Sequence, residues 1–575
     1  MKAPRLQRVL QTASLGAFLA LLWLASFRMA QKAAPDLFLW LDPLASAGAM
    51  LAARAIIPAL LAGLAVIASA LFVGRFFCGH ICPMGATLDL AQWLLRIKKR
   101  KNAAPGPGLR RLKHGLLALC LGASALGVSL VYWLAPMPLV TRFWGLVAFP
   151  VVRLVLDSGL GAARPLAQSM DWRALSFAVV PAARFETALF VALFFAALFA
   201  LLALAPRFWC RCLCPAGALL ALFSGRPAWR RGVSENCTRC GACVRTCPMG
   251  AIPEEQPRET SHRECVACLR CVRVCPEKAV RFSLFPGSAA SESFLLARRR
   301  FLASGLSGAS LAALALTGLD SPALKEGVSG TVVDPDRVRP PGALPEEAFL
   351  ARCLRCGECI TACPTNTLQP AWFQAGVWGM FSPIAMARRG ACDPDCAECG
   401  RVCPTGAVRP LPLNEKMWAK MGTAIVLRQK CLAWDWGKPC LVCKEVCPYG
   451  AIEMRRVDSS PVTVPFVLGP RCVGCGACES RCPVQATAAI QVEPMGSLRL
   501  AQGSFEKMGR GMGLDIRRAV KPGAPAGPEN LAPGSSPFDP APGQAAQPAP
   551  FSPAPAAPSL EAPAGGSPFD PPAKK

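Results

Sequence analysis

The spacing of its cysteines constrains this chain more than any other sequence feature. Six runs of four cysteines account for 24 of the 30 cysteines, and the last cysteine of every run precedes a proline. Four runs have the spacing Cys-x2-Cys-x2-Cys-x3-Cys-Pro. In this spacing three soft thiolates bind at one site, and the fourth binds at a second site nearby. The runs are Cys237, Cys240, Cys243 and Cys247; Cys265, Cys268, Cys271 and Cys275; Cys353, Cys356, Cys359 and Cys363; Cys392, Cys396, Cys399 and Cys403; Cys431, Cys440, Cys443 and Cys447; and Cys472, Cys475, Cys478 and Cys482.

This is the bacterial ferredoxin run, in which three thiolates hold one [4Fe–4S] cluster and the fourth reaches its neighbour. We therefore predict one cluster on Cys237, Cys240, Cys243 and Cys275, and a second on Cys265, Cys268, Cys271 and Cys247. The other four runs predict four further clusters, whose pairing the sequence leaves open. Zinc usually takes two Cys-x2-Cys pairs, and a disulfide framework would not need one spacing repeated four times.

Apolar segments in the first half predict a membrane domain. Hydrophobic residues make up 53% of the chain and charged residues only 17%. Residues 13–27, 55–73, 115–134 and 187–204 are predicted to span, since about 20 apolar residues cross a hydrocarbon core. Residues 139–156 carry Arg142 and Arg153, so we predict an interfacial helix there, or a helix packed on the bundle, rather than a further span. A cleaved signal peptide is the weaker reading of the first segment, because no small-x-small site follows it.

Basic residues cluster beside these segments, at 98–101, 110–113 and 298–300. Lys and Arg concentrate in cytoplasmic loops, so the N-terminus and the 98–113 loop are predicted to be cytoplasmic. The net charge of +27 then reflects membrane topology, and we predict no nucleic-acid partner.

A mid-chain segment, residues 298–319, begins with three arginines and continues for nineteen uncharged residues. We predict a fifth span, with a buried core helix as the alternative. If it spans, two cluster sites lie in the cytoplasm and four in the periplasm.

Two short motifs lie at the inward ends of the second and fourth predicted spans. They are Cys78-x3-Cys82-Pro83 and Cys210-x3-Cys214-Pro215, and their four thiols could converge on a redox or metal site. The alternative is a pair of structural or redox-labile thiol pairs. His80 either tunes this site or faces solvent, and Cys120 and Cys212 are predicted to be packing residues.

The predicted fold is an α-helical membrane domain with ferredoxin-like α+β iron–sulfur domains on either side and a disordered tail. The tail is rich in Pro and Ala and cannot bury enough apolar surface to order itself. The predicted divisions are 1–215 for the membrane domain, 216–297 for a two-cluster domain, 298–319 for the mid-chain segment, 320–345 for a linker, 346–500 for a four-cluster domain and 520–575 for the tail.

Residues 1–290, with paired Cys-x3-Cys-Pro motifs and a two-cluster module, resemble the NapH family and the related NosR-like and MauN-like families. Residues 298–485, with Arg298-Arg299-Arg300-Phe301-Leu302 and four cysteine runs, resemble the NapG/MauM family. The resemblance implies a natural fusion and a twin-arginine export signal at the arginines. It also implies a quinol dehydrogenase of the bacterial inner membrane that feeds a periplasmic reductase of the nitrate-reductase type.

The function expected is therefore electron transfer from the membrane quinone pool to a periplasmic reductase or cytochrome. One alternative is a maturation or redox-maintenance factor for a periplasmic metalloenzyme, and another runs electrons from a cytoplasmic donor into the quinone pool. No Cys-x2-Cys-His or Gly-x-Gly-x2-Gly signal indicates haem, flavin or nicotinamide. Catalytic residues stay unknown, because Glu186 and Asp171 have the simpler explanation of solvated loop charges.

Overall fold

A computed structural model describes residues 3–26, 34–97, 105–178, 180, 183–286, 298–316, 338–372 and 375–518. Residues 1–519 form one unit. The predicted tail and most of the predicted linker lie outside the described residues.

Twelve helices build the first part of the chain around a shared apolar core. Proline at the first or second position starts many of them, where its missing N–H leaves no hydrogen bond unmade. They are α1 (Ala3–Ala25), α2 (Leu37–Trp40), α3 (Pro43–Ala53), α4 (Leu61–Val73), α5 (Phe76–His80), α6 (Pro83–Leu94), α7 (Pro107–Ala125), α8 (Pro136–Phe143), α9 (Phe149–Ser169), α10 (Arg173–Ser176), α11 (Ala188–Ala200) and α12 (Pro215–Phe223).

Two described helices are long and apolar enough to cross a membrane, Leu6–Ala25 and Pro136–Ser169. A third crossing is available if the bent pair Pro58–Val73 and Phe76–Leu94 forms one broken span. The prediction for 139–156 is confirmed in part, because α8 is buried in the shared core as a helix packed on the bundle should be. A π-helical turn joins α8 to α9, and the resulting helix of 34 residues is long and apolar enough to cross a membrane, which was not predicted. Of the predicted span at 115–134 only 115–125 belongs to α7, whose first half is basic, and the predicted span at 187–204 forms a short apolar helix. Neither is among the candidate spans of the described residues.

The mid-chain segment is a helix, α15 (Arg298–Leu316), that packs along α7. Glycine makes the close approach possible, because a Cβ on Gly122 would overlap the backbone of Gly305. A Cβ on Gly308 would likewise overlap the carbonyl of Leu119. Its described part is not among the candidate spans, and the twin-arginine interpretation stays a prediction.

The cysteine runs lie between short helices and two-stranded antiparallel sheets. The first two runs are bounded by β1 (Trp229–Val233) and β2 (Val280–Leu284), with α13 (Ala242–Thr246) and α14 (Arg270–Val274) between them. The later runs lie among α16 (Glu346–Arg352), α17 (Glu358–Thr361), β3 (Leu368–Pro370), α18 (Gly376–Gly379), β4 (Pro383–Ala385), α19 (Glu398–Arg401), α20 (Leu413–Lys416), β5 (Thr423–Val426), α21 (Val442–Glu445), β6 (Ile452–Arg455), β7 (Val464–Val467), α22 (Ala477–Ser480), β8 (Ile490–Glu493) and α23 (Phe505–Gly511).

Each pair of runs is closed by antiparallel pairing of the segment before it with the segment after it. β1 pairs with β2, the single bridge Ala343–Val408 encloses the third and fourth runs, and β5 pairs with β8. Within the last two pairs of runs, β3 pairs with β4 and β6 with β7. In the last pair each run lies in a strand–helix–strand piece, β5–α21–β6 and β7–α22–β8, as expected of ferredoxin-like α+β domains, and antiparallel pairing joins the two pieces.

The two groups of runs contact opposite ends of α7. Near its start, Arg110 donates a 2.9 Å hydrogen bond to the Gly250 carbonyl of the two-run module. Just beyond its end, the Ser129 carbonyl accepts a 2.9 Å bond from Arg355 of the four-run domain. Since α7 has 19 residues at 1.5 Å each, roughly 28 Å of helix separates the two groups.

Candidate iron–sulfur sites and the four-thiol site

The four regularly spaced runs share one backbone conformation around their second cysteine. The residue before it and the residue after it both have φ between +50° and +86°. These pairs are Arg239 and Gly241, Ala267 and Leu269, Arg355 and Gly357, and Gly474 and Gly476. Left-handed residues on both sides turn the chain sharply about the second cysteine of each of these runs. The x3 and x8 runs lack this pattern, since Ala397 and Leu441 have negative φ.

Four cavities are each lined by three cysteines of one run and the last cysteine of its partner run. We call them site B (Cys247, Cys265, Cys268, Cys271), site D (Cys363, Cys392, Cys396, Cys399), site E (Cys447, Cys472, Cys475, Cys478) and site F (Cys431, Cys440, Cys443, Cys482). The same three-plus-one set of cysteines recurs in all four, so the four sites offer one kind of ligand arrangement.

Two further sets complete the pairing. Cys359 lies within electrostatic reach of Cys353, Cys356 and Cys403, which we call site C. Cys237 lies near Cys243, and these two with Cys240 and Cys275 form the predicted site A. The third run thus exchanges its last cysteine with the fourth, and the fifth with the sixth, which the sequence left open. That these sulfurs bind iron stays a prediction.

Burial and polar contacts prepare the thiols for this chemistry. Burial raises the pKa of Cys443 to about 11 and of Cys475 to about 12, so without iron these thiols keep their protons at neutral pH. Three of the exchanged cysteines accept a backbone hydrogen bond at sulfur. Ala251 donates to Cys247 at 3.3 Å, Val408 to Cys403 at 3.4 Å and Ala451 to Cys447 at 3.3 Å. Such bonds to cluster sulfurs tune reduction potential.

The sites of the four-run domain follow one another in space. Site C lies against the helices, since Cys356 and Leu354 belong to the core that the helices form. Sites D and E touch through a 2.8 Å hydrogen bond from the Cys392 amide to the Cys475 carbonyl. Cys443 of site F packs in the same small core as Cys472 and Cys478 of site E. The order along the domain is therefore C, D, E, F, and Cys363 and Cys399 of site D also pack in a small core with Leu146 of the helices.

The two Cys-x3-Cys-Pro motifs meet through a pair of crossed arginines. Arg75 donates at 3.4 Å to the carbonyl of Cys210, and Arg207 donates at 3.4 Å to the carbonyl of Cys78. Cys82 lies within electrostatic reach of Cys78, Cys210 and Cys214. We call Cys78, Cys82, Cys210 and Cys214 the four-thiol site. The repeated sequence extends beyond the cysteines and their proline, since Arg-Phe-x-Cys-x3-Cys-Pro-x-Gly occurs at 75–85 and again at 207–217.

Both arginines are buried, and each is paired with an acidic side chain. Arg207 forms a bidentate pair with Asp89, at 3.0 and 2.7 Å. Arg75 donates at 3.0 Å to Glu264 of the two-run module, and Lys113 of α7 contacts the same carboxylate at 2.5 Å. The sequence alone did not assign Arg75, Arg207, Asp89, Glu264 or Lys113 to this site. The arginine that occurs three positions before the first cysteine of each motif is the signal that could have identified two of them.

The four-thiol site adjoins site B. A Cβ on Gly79, within the first motif, would lie 2.6 Å from the carbonyl of Val266, between Cys265 and Cys268. His80 is buried and stacks on Phe76 at 3.9 Å, so it does not face solvent. Cys120 and Cys212 are fully buried, as packing residues should be.

The donor set fits iron–sulfur clusters better than single ions. Among the described residues no three His, Cys, Asp or Glu side chains lie close enough to share one metal ion. A cubane presents a separate iron to each cysteine, so its four sulfurs need not meet at one point. All 30 cysteines lie in described residues and are free thiols, so the disulfide alternative finds no pair.

Two tryptophans of the fifth run and the carboxylates of Glu186 and Asp171 lie outside these sites. Trp434 packs on Phe466 at 5.5 Å, whereas Trp436 is 62% exposed. Glu186 pairs with Arg389 at 3.4 Å, and Asp171 forms a fully solvated pair with Arg173. Neither carboxylate lines the cavities of sites B, D, E and F.

Three family models match four stretches of the chain. A 4Fe-4S binding domain matches residues 55–102 and 187–234, which contain the four-thiol site. Two models of 4Fe-4S dicluster domains match residues 236–280 and 438–486. The multiple 4Fe–4S-binding domains expected from the cysteine spacing are thereby confirmed.

Curated ferredoxin-type proteins are similar to parts of this chain. The methylamine utilization ferredoxin-type protein MauM of Methylorubrum extorquens is 37% identical over 202 residues, 34% of this chain and 89% of that protein. The ferredoxin-type protein NapG of Escherichia coli is 35% identical over 177 residues, 29% of this chain and 74% of NapG. The ferredoxin-type protein NapH of Escherichia coli is 28% identical over 199 residues, 33% of this chain and 55% of NapH. No solved structure matches the chain.

Proposed function

We propose that this chain, which belongs to the MauM/NapG family of ferredoxin-type iron–sulfur proteins, is a quinol dehydrogenase that delivers electrons to an acceptor outside the cytoplasm. The observation that carries the proposal is the arrangement of sites A and B at one end of a helical bundle and sites C to F at the other. Each [4Fe–4S] cluster, when bound, takes up and releases one electron.

We further propose that the four-thiol site holds a seventh cluster. Its four buried cysteines and two crossed arginines form a donor set with charge compensation, and the matching domain model is one that binds 4Fe–4S. The arginines offset the negative charge that four thiolates place in an apolar core, and their acidic partners keep each guanidinium fixed.

A lipid-soluble carrier is the natural link between the two ends. Two to three helices of this bundle can cross a membrane, and a quinol dissolves in the same hydrocarbon. A maturation role and the entry of electrons from a cytoplasmic donor would both use the same iron–sulfur sites. An activity assay therefore has to distinguish these two functions from quinol oxidation.

The experiment is quinol oxidation by the full chain in proteoliposomes. Addition of a short-chain quinol should reduce the iron–sulfur signals in EPR, followed by reduction of an external cytochrome. A C-terminal reporter should be active outside the cytoplasm. Iron content below about four clusters per chain, or EPR signals that quinol never reduces, would refute the proposal.

A further inference from the structure

The one buried residue of β1 is an arginine. Arg231 lies at the centre of the strand and is 1% exposed, whereas the four residues around it are only partly buried. Arginine is almost never fully buried unless a carboxylate pairs with it. Within the described part of the chain, however, no carboxylate forms an ion pair with Arg231, and its hydrogen bonds go to uncharged groups. The charge of this guanidinium therefore stays uncompensated inside the two-run module.

The loop before the second run holds Arg231 against site A. Its Nη1 atom donates to the Thr260 hydroxyl at 2.7 Å and to the Glu259 carbonyl at 3.3 Å. Its Nη2 atom donates to the Pro257 carbonyl at 3.0 Å and to the Cys243 sulfur at 3.6 Å. Three contacts with one loop fix the planar guanidinium, so its contact with the site A sulfur is held in place.

Arg231 also belongs to the wall of site B. It lines the same cavity as the four cysteines of that site. Its Nε atom is buried and makes no hydrogen bond within the described residues. A buried donor without a partner costs free energy, so an acceptor in the cavity would stabilise it. The sulfurs of a [4Fe–4S] cluster are such acceptors. One guanidinium is therefore placed beside two cluster sites.

The cavities of the other cysteine sites carry different charges. Two arginines, Arg231 and Arg270, line the cavity of site B, and no acidic residue does. Two carboxylates, those of Asp393 and Glu398, line the cavity of site D. Among the described residues no charged side chain lines the cavities of sites E and F. The arginines are thus not a requirement of the cysteine spacing, because the sixth run at site E has the same spacing as the second run at site B.

A positive charge at this place acts on the reduced state of a cluster. Reduction adds one negative charge, and both hydrogen bonds to sulfur and nearby charges set the reduction potential. The low dielectric inside a protein strengthens the attraction between that charge and a cation in direct contact. Two reduced clusters side by side would also repel each other, and a cation in contact with both offsets this repulsion.

We propose that Arg231 raises the reduction potentials of the clusters at sites A and B together, so that this pair holds two electrons at once. Each cluster takes up one electron, and no covalent bond forms or breaks. A quinol releases two electrons, so a pair of this kind matches the donor of the proposed function. The proposal rests on the iron–sulfur clusters of that function and is independent of the electron donor.

The test is a redox titration of the full chain in detergent, with dithionite as reductant and EPR as readout. Arg231→Gln should lower two of the measured potentials, each by at least about 59 mV, which is a tenfold change in the equilibrium constant for one electron. The remaining potentials should not move. Arg231→Lys keeps the positive charge, so it should change the same two constants by less than about threefold.

Arg230→Gln is the matched control, because it removes the same charge from the neighbouring position of β1. The Arg230 guanidinium bonds to the carbonyls of Pro227 and Pro286 rather than to a cysteine. This variant should change every reduction constant by less than about threefold. Equal shifts in the Arg230 and Arg231 variants would overturn the specific role of Arg231 and assign the effect to net charge.

Iron content establishes that each variant is assembled, and an assembled Arg231→Gln protein with unchanged potentials would overturn the proposal. A shift confined to one potential would also overturn it, since the role is shared between two clusters. Where Arg231→Gln loses its clusters, the wild-type chain is decisive. With guanidino-¹⁵N arginine, pulsed EPR of the reduced protein should show a nitrogen coupling that Arg231→Lys lacks, and absence of this coupling would overturn the contact. Clusters that quinol never reduces would refute the proposed function and leave these outcomes unchanged.

Discussion

At the residue scale, charge pairs hold the four-thiol site together. Arg75 and Arg207 each bond the first cysteine of the opposite motif, so neither motif is positioned by its own arginine alone. Asp89 and Glu264 fix these guanidiniums from different elements. The site therefore depends on groups well separated from the cysteines in sequence.

Replacing Arg207 by Gln should destabilise the protein and the four-thiol site together. Asp89 would lose its bidentate partner in a largely buried position, which costs about 3 kcal/mol. Thermal unfolding and iron per chain measure both effects. The control is Arg173→Gln at a fully exposed pair, which should change stability by less than about 0.5 kcal/mol. Equal effects of the two variants would contradict the role of Arg207.

His262 should make the two-run module sensitive to acid. It is buried, and burial together with Arg230 and Arg231 lowers its pKa from 6.5 to about 4. The unfolded chain then binds a proton between pH 6.5 and 4 that the folded chain does not, so stability falls as pH falls through this window. Unfolding followed by the site A and B absorbance at several pH values should show the slope, and His262→Gln should flatten it. A slope unchanged by this substitution would assign the acid sensitivity to other groups.

At the element scale, the turn around the second cysteine defines a regular run. Four runs carry left-handed residues on both sides of this cysteine, and the x3 and x8 runs replace that turn with longer loops. A regular cysteine spacing thus predicts the backbone conformation around the second cysteine. It could not predict which runs pair, because that depends on Ala343–Val408 and β5–β8, contacts between distant parts of the chain.

Gly476→Ala should weaken site E. Its φ of +79° is unfavourable for alanine, and the new Cβ would overlap the Cβ of Ala387. We expect a loss of about 1–3 kcal/mol and reduced iron in the last run pair, measured by unfolding and EPR. Gly469→Ala is the matched control, since a Cβ there meets nothing within 4 Å and its φ is ordinary.

Gly308→Leu should separate α15 from α7. The new side chain would overlap the Leu119 carbonyl, which is backbone and cannot rotate away, at a cost of about 1–3 kcal/mol. Protease resistance of the detergent-solubilised protein should fall. Gly161→Leu, on a helix face where a Cβ meets nothing within 4 Å, should leave it unchanged. A resistant Gly308→Leu protein would show that the helix contact is dispensable.

At the scale of the whole molecule, iron–sulfur sites stand at both ends of a helical bundle. The cysteine runs made the iron–sulfur character predictable, since soft ligands at fixed spacing need no tertiary information. The length of the helix at Pro136–Ser169 was not predicted, because Arg142 and Arg153 look unsuited to lipid in sequence. In the structure Arg142 is buried beneath Phe381, and Arg153 lies 5.3 Å from the Trp23 ring. Tertiary partners of this kind cannot be read from one sequence.

The linear order of sites C to F predicts different consequences for loss of the first and the last. Cys356→Ser removes a thiolate beside the helices, so quinol should no longer reduce sites D to F, although dithionite still should. Cys443→Ser removes one at the far end, so quinol should still reduce sites C to E while cytochrome reduction falls at least about tenfold, a barrier increase of 1.4 kcal/mol or more. EPR after quinol addition, with cytochrome absorbance in parallel, separates the two outcomes. Cys120→Ser, at a buried thiol outside every site, is the control for loss of a sulfur alone. If Cys356→Ser left sites D to F reducible by quinol, electrons would enter the domain elsewhere, and the order from C to F would not be the path they take.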